Sequence, residues 1–426
     1  MKKLFLLFCF SIYFNGLSAQ GNYYFPAATP NAPWDTISPA SLGWCMNYKD
    51  SLDDFLAQSN SKACIILVNG KIAYEKYIGT FTQDSVWYWA SAGKTITSLL
   101  TGIAQEEGYL NISDTSSKYL GVGWTNCTQA QEEKITIRNQ LTMTSGLDDN
   151  VPNTDCQEPI CLGYAADAGT RWAYHNAVYL LLQKVVATAT GSTYQNYTST
   201  RLLAPTGMFG IWFDSVFYSR PRDMARFGLL MLNKGIWNGD SIIHDQNYVH
   251  DMINSSQSIN NSYGYLWWLN GKSSYMLPQS QFVFNGEIIP NAPPDTYCAL
   301  GKNDQKIYVT PSRNMVVIRM GNSAGIPLYA LSNYDNELWA AINQFACTST
   351  GIESVNKENH LLYPNPANNF IWIKNSTSNT AVIYNLQGVM SKVEVSEEGK
   401  IDISRFSPGL YMIKQGERIY KFTIAR

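Results

Sequence analysis

This chain is poor in charge, poor in histidine and, past its first residues, free of long apolar runs. Only 15% of its 426 residues are Asp, Glu, Lys or Arg, and the formal net charge is -2. No basic run interrupts that balance, which excludes the electrostatic footprint that nucleic acid requires. The four histidines, His175, His244, His250 and His360, are scattered without ligand spacing. No metal cluster and no cofactor motif is expected. No stretch beyond residue 19 is apolar for long enough to span a bilayer. What the chain has instead is apolar mass, with 45% hydrophobic residues including 12 Trp and 27 Tyr. That much apolar surface supports a large core and argues against disorder.

The apolar run at the start is short and follows Lys2 and Lys3. Leu4 to Phe14 is apolar and Ser18-Ala19 is a small-residue end, so residues 1–19 read as a signal peptide. Cys9 leaves with it, and seven of the eight cysteines remain. An odd number leaves at least one thiol unpaired within the chain. Cys156 and Cys161 flank Pro159 and are expected to form a local disulfide in an oxidising compartment. Cys64, in an apolar strand, is expected as a buried free thiol.

The chemistry centres on Trp87 to Ile96. A strand or tight loop ends at Ser91, and Ile96, Leu99, Leu100 and Ile103 then recur at helical spacing until Gly108. Ser91 is expected in the first turn of a buried helix, with Lys94 one turn away on the same face. A dry pocket disfavours the ammonium, so Lys94 can accept the proton of Ser91 and make it a nucleophile. Ser-x-x-Lys alone is a weak pattern. Its surroundings are more specific: Ile135-Thr136-Ile137-Arg138-Asn139-Gln140-Leu141 runs into Thr142-Met143-Thr144-Ser145-Gly146-Leu147, and Arg220 to Gly228 reads Arg-Pro-Arg-Asp-Met-Ala-Arg-Phe-Gly. Together these resemble the serine β-lactamase and penicillin-binding-protein superfamily, in its class C-like esterase and peptidase branch. The first segment is expected as a short helix ended by Gly146 on the cleft floor, the second as a helix used for packing and ion pairing.

That resemblance implies a second motif, Tyr-x-Asn, and Tyr174-His175-Asn176 supplies it. Tyr174 is expected to share the base role, because a cationic Lys94 beside it favours the phenolate. Asn176 is expected to bind substrate, and His175 to line the cleft. The third motif of most relatives, Lys-Thr-Gly, is absent. The equivalent strand is read as Tyr297 to Gly301, where Ala299 and Gly301 are expected to contact substrate. A backbone N–H there, with that of Ser91, would form the oxyanion hole. Losing the motif's lysine weakens carboxylate recognition unless Lys302 replaces it. Trp87, Trp89, Trp172, Trp267 and Trp268 are read as a lining for an apolar acyl chain. A rival motif, Gly321-Asn322-Ser323-Ala324-Gly325, matches a nucleophile elbow, but no suitable Asp and His follow it, so Ser323 is read as a turn residue.

The coarse pattern runs as follows. An extended arm over 23–41 and a short helix over 51–58 come first. A hairpin of 63–68 and 71–77 turns about Asn69-Gly70, and a mainly helical stretch spans 111–260. Strands return at 263–269, 297–301, 306–310 and 314–320, and a closing helix is expected over 328–345. This is an α+β arrangement of antiparallel sheet, flanking helices and a helical insert. After a polar linker at 351–360, residues 361–426 carry Tyr363-Pro364-Asn365-Pro366, Asn385-Leu386-Gln387-Gly388 and Pro408-Gly409-Leu410-Tyr411. They resemble the C-terminal sorting domain of type IX secretion, a small β-sandwich. The resemblances imply a hydrolase domain over 20–350 exported through the periplasm and outer membrane, secreted or held at the cell surface. Its expected partners are the type IX machinery and a small-molecule or short-peptide ester or amide. Hydrolysis would pass through an acyl-enzyme on Ser91. The alternatives are a D-Ala-D-Ala carboxypeptidase or β-lactamase, and an inactive member that only binds ligand.

Overall fold

The structure, a computed structural model, describes residues 23–325, 331–347 and 362–425 apart from positions 375, 377, 386–388 and 417. The expected signal peptide and linker lie outside the described residues, as do His360 and the start of the expected closing helix.

In chain order the elements that build the hydrolase domain are α1 (Lys49–Gln58), β1 (Ser61–Val68), β2 (Lys71–Tyr77), β3 (Trp87–Tyr88), α2 (Lys94–Glu106), α3 (Ile137–Leu141), α4 (Asn176–Thr190), β4 (Ile211–Phe213), β5 (Val216–Ser219), α5 (Pro221–Leu232), β6 (Trp268–Leu269), β7 (Tyr297–Gly301), β8 (Gln305–Thr310), β9 (Met315–Gly321) and α6 (Asn333–Phe345). One antiparallel sheet runs in the order β2-β1-β9-β8-β7-β6. The β1–β2 hairpin turns where it was expected, with Asn69 and Gly70 both at positive φ (50° and 80°), as a two-residue hairpin needs. The exposed edge of β2 is covered by the extended arm, where Ile37 donates to Ile72 and Ile72 to Asp35, each at 2.9 Å. An open edge would otherwise template aggregation.

The middle strands are buried on both faces. In β8, Lys306 and Tyr308 reach Asp335 of α6, while the alternate residue Ile307 faces α5. There a Cβ on Gly228 would come within 2.4 Å of Val316, so glycine lets helix and sheet close together. The helical insert keeps its own apolar cluster, including Trp124, Ile135, Leu147, Leu162 and Leu181. Two local expectations change. The helix starting at Ile137 stops at Leu141, and Gly146 serves a close loop crossing in which an added Cβ would lie 2.1 Å from the Ala166 carbonyl oxygen. Only Trp268–Leu269 pairs as strand within 263–269, because Leu266 takes a left-handed conformation (φ 62°) that breaks the extended run.

Cys156–Cys161 is a disulfide as expected, and Cys64 is a buried free thiol. A second disulfide, Cys45–Cys347, joins the approach to α1 to the end of α6 across 302 positions of sequence. Beyond it lie β10 (Leu362–Tyr363), β11 (Phe370–Ile373), β12 (Thr380–Tyr384), β13 (Met390–Glu394), β14 (Lys400–Asp402), β15 (Gly409–Gln415) and β16 (Arg418–Ile424). They form two sheets, β10-β11-β14 and β13-β12-β15-β16. Ile371, Ile373, Ile383, Ile401, Ile413 and Phe422 fill a core of their own. Among the described residues no helix is long and apolar enough to cross a membrane.

Candidate active site

Ser91 stands on a short 3-10 turn, Ala90–Gly93, that feeds directly into α2. It therefore precedes the α-helix by one tight turn instead of lying within it. Ala90 sits at φ 47°, a left-handed conformation that costs a non-glycine residue about 1–3 kcal/mol. Trp89 anchors the turn from below. Its backbone N–H donates to Phe217 at 2.8 Å, its indole N–H to Ser219 Oγ at 2.8 Å, and its ring is fully buried against Phe217 and Phe227.

Three side chains converge at the end of that turn. Lys94 Nζ donates to Ser91 Oγ at 2.9 Å, and the Tyr174 hydroxyl lies beside the same Ser91 hydroxyl. Lys94 is 4% exposed. Burial pulls its ammonium down from the ordinary 10.5 to about 7, opposed weakly by the Asp155 carboxylate. A substantial fraction is thus a neutral amine near neutral pH, able to accept a proton. Burial acts the other way on Tyr174, holding its phenol well above the ordinary value although the Ser91 hydroxyl favours the phenolate. This corrects the expectation of a phenolate: removal of water outweighs the neighbouring amine, and Tyr174 rests protonated.

The aromatic residues change role as well. Trp89, Trp172, Trp267 and Trp268 are core residues at no more than 2% exposure, and Trp87 is half-buried, so they do not form the expected acyl lining. Trp172, Trp268 and Tyr263 pack around the Tyr174 ring at centroid distances of 5.9 to 6.3 Å. They fix that ring and strip its water.

Asn176 opens α4, and its Oδ1 is buried without a partner among the described residues. His175 is buried; its Nε2 lies 3.0 Å from the Asp148 carbonyl oxygen, so it tethers the 148–161 loop and does not line the cleft. The Thr154 carbonyl in the same loop accepts from Ala177 N–H at 2.9 Å. Asp155 and the Cys156–Cys161 bridge therefore sit beside the Tyr-x-Asn segment.

Strand β7 ends against the nucleophile turn. A Cβ on Gly301 would lie 2.3 Å from the Trp89 carbonyl oxygen and 3.0 Å from Ala92 N, so only glycine allows this approach. Ala299, expected at the substrate, is 1% exposed one alternation further into the sheet, where packing covers it. Lys302 follows Gly301 and is exposed. The turn after it is held from below. Gln305 donates to the Asn303 and Gly321 carbonyls at 2.8 and 2.7 Å, and the fully buried Arg319 donates to the carbonyls of Asn303 and Asp304, both at 3.0 Å. Arg319 also holds Asn322 O at 2.8 Å, and Ser323 Oγ bonds within its own turn to Gly325 O at 2.7 Å. The elbow-like segment is thus a brace for the site. Sequence reading missed this clamp because arginine and glutamine in a strand carry no motif.

The sequence matches the family described as Beta-lactamase over residues 52–340, more than half of the chain. The chain belongs to the β-lactamase family. A second match, to the secretion system C-terminal sorting domain, covers residues 361–423. This β-lactamase-family protein is accordingly exported by type IX secretion, to the cell surface or beyond. An uncharacterised protein of Alkalihalophilus pseudofirmus is 24% identical over 313 residues, 64% of this chain and 87% of that one. Among solved structures, a Bacillus anthracis chain provisionally named a 6-aminohexanoate-dimer hydrolase superposes with TM-score 0.57 at 18% identity, covering 75% of this chain and 89% of its own. A β-lactamase/D-alanine carboxypeptidase of Yersinia pestis does so with TM-score 0.52 at 15% identity, covering 73% and 98%. At these identities the two structures establish the β-lactamase-like fold alone. In this family member the Ser91 turn, the Tyr174 segment and the end of β7 meet at one place.

Proposed function

We propose that the protein is an exported serine hydrolase that cleaves an ester or amide through an acyl-enzyme on Ser91. The observation that carries this reading is the Lys94–Ser91 hydrogen bond of 2.9 Å with the Lys94 amine buried and titrating near 7. Lys94 takes the Ser91 proton as Oγ bonds to the substrate carbonyl carbon. The carbonyl π electrons move to its oxygen, which faces the Ser91 N–H and a backbone N–H of the turn after Gly301. When the tetrahedral adduct collapses, the Tyr174 hydroxyl gives its proton to the leaving group and Lys94 restores it. The serine proton thus ends on the departing alcohol or amine. Water then repeats the sequence on the acyl-enzyme and releases the acid.

Esters are favoured over carboxylate-bearing β-lactams and cell-wall peptides. A bound carboxylate needs a charge-assisted hydrogen bond to offset lost water, and β7 carries no Lys-Thr-Gly to supply it. The test is a panel of short p-nitrophenyl esters, D-amino-acid peptides and a chromogenic cephalosporin, run on the wild type and Ser91→Ala. Ester turnover that vanishes in Ser91→Ala supports the reading. Undiminished turnover in that variant would remove it, and efficient cephalosporin turnover abolished by Lys302→Ala would reverse the ester preference.

A further inference from the structure

Lys94 must carry a positive charge for part of each cycle, yet it makes no ion pair among the described residues. From the turn before α2 it meets Ser91, from the segment before α4 Tyr174, from the first turn of α4 Tyr179, and from the 148–161 loop the Asp155 carboxylate at longer range. Two of these neighbours present ring faces. Nζ lies 4.4 Å from the Tyr179 ring centroid and 5.1 Å from that of Tyr174. The nearer ring belongs to a residue that no motif singles out. Tyr179 is 4% exposed, and its hydroxyl accepts from Gln183 Nε2 at 2.6 Å. It also donates to the Ser215 carbonyl at 3.5 Å, so its ring is fixed from the far end.

We propose that Tyr179 is a positioning residue for Lys94: its ring face holds the amine at Ser91 and stabilises the ammonium that forms when Lys94 takes the serine proton. The negative face of an aromatic ring attracts a cation within about 6 Å of its centroid, most strongly where water is excluded. Here that attraction takes the place of a carboxylate partner. A carboxylate at contact distance would keep Lys94 charged and useless as a base. A ring stabilises the cation more gently, leaving proton transfer reversible in both halves of the cycle. This inference rests on Lys94 being the base of the proposed reaction.

The sign of the effect follows from the thermodynamics. Removing the ring's attraction disfavours protonated Lys94, so the acid limb of the kcat/KM profile for a p-nitrophenyl ester moves to lower pH. The test is a graded series on the full-length protein, Tyr179→Phe followed by 4-fluoro, 3,5-difluoro and pentafluoro phenylalanine at the same position. These rings are nearly equal in size, but each fluorination drains the ring face. Tyr179→Phe keeps the limb near that of the wild type. The fluorinated series moves it stepwise downward, by about 0.5 to 1 pH unit in all. A limb that stays in place across the series, or moves upward, overturns the inference. Fluorophosphonate labelling of Ser91 in every variant separates that failure from failure of the hydrolase reading. Labelling that persists while the limb stays fixed removes only the role of Tyr179.

Discussion

Replacing Lys94 with methionine is expected to inactivate the protein and stabilise it at once. A lysine whose pKa falls from 10.5 to about 7 on folding costs stability, because the unfolded chain holds a proton that the folded chain gives up. At pH 7 the unfolded lysine is almost fully protonated and the folded one about half, so the drop costs roughly 4 kcal/mol. Methionine has similar bulk and no charge to desolvate, but it forfeits the hydrogen bond to Ser91, worth about 1 kcal/mol. The net gain at pH 7 is roughly 3 kcal/mol. Between pH 7 and 10.5 the unfolded wild type binds the extra proton, so wild-type stability rises with pH, by about 1.4 kcal/mol per unit relative to the variant. The advantage of Lys94→Met therefore shrinks as pH rises and reaches zero near about pH 10. Urea unfolding of both proteins at several pH values, followed by tryptophan fluorescence, measures the gap. A variant less stable than wild type at pH 7, or a gap independent of pH, would refute the reasoning.

Other outcomes test separate parts of the account. Tyr174→Phe is expected to lower kcat by about 10²-fold or more on an amide; the loss on a p-nitrophenyl ester, whose leaving group needs no proton, is smaller, and equal losses on both would remove the proton-donor role. Gly301→Ala forces a Cβ against the Trp89 carbonyl and is expected to cost about 10- to 100-fold in kcat/KM while circular dichroism stays unchanged; full activity would show that the strand end does not set the Ser91 turn. Deleting residues 361–426 is expected to leave fluorophosphonate labelling intact, since the tail has its own core, and to retain the protein in the periplasm of its host. Release of the truncated protein into the medium would contradict the sorting role.

The parts of this molecule that were legible in the sequence are those written in short-range patterns. Asn69-Gly70 dictates a hairpin by its backbone conformation, and the spacing of Ile96, Leu99, Leu100 and Ile103 dictates a helix face. The candidate site residues Ser91, Lys94 and Tyr174, which the fold brings together, were marked by spacing and by motif. What the sequence hid depends on distances across the fold. Cys45 finds Cys347 only after the sheet has closed, and no local feature announces it. The protonation of Tyr174 follows from how Trp172, Tyr263 and Trp268 exclude water, although Trp172 and Trp268 in one dimension suggested a substrate lining. No motif or spacing marks Tyr179. Its meaning comes from the 4.4 Å that separates its ring from Lys94.

The central claim, that Ser91 is a nucleophile activated by a buried neutral lysine, is tested most directly by the pH dependence of its acylation. The measurement is the rate of fluorophosphonate labelling of the full-length protein from pH 5 to 9, with the adduct located by mass spectrometry. The account predicts one adduct, on Ser91, whose rate rises through a single titration near about pH 7, and no labelling in Lys94→Met. An adduct on Ser323, or labelling of Ser91 at the same rate with and without Lys94, would contradict it.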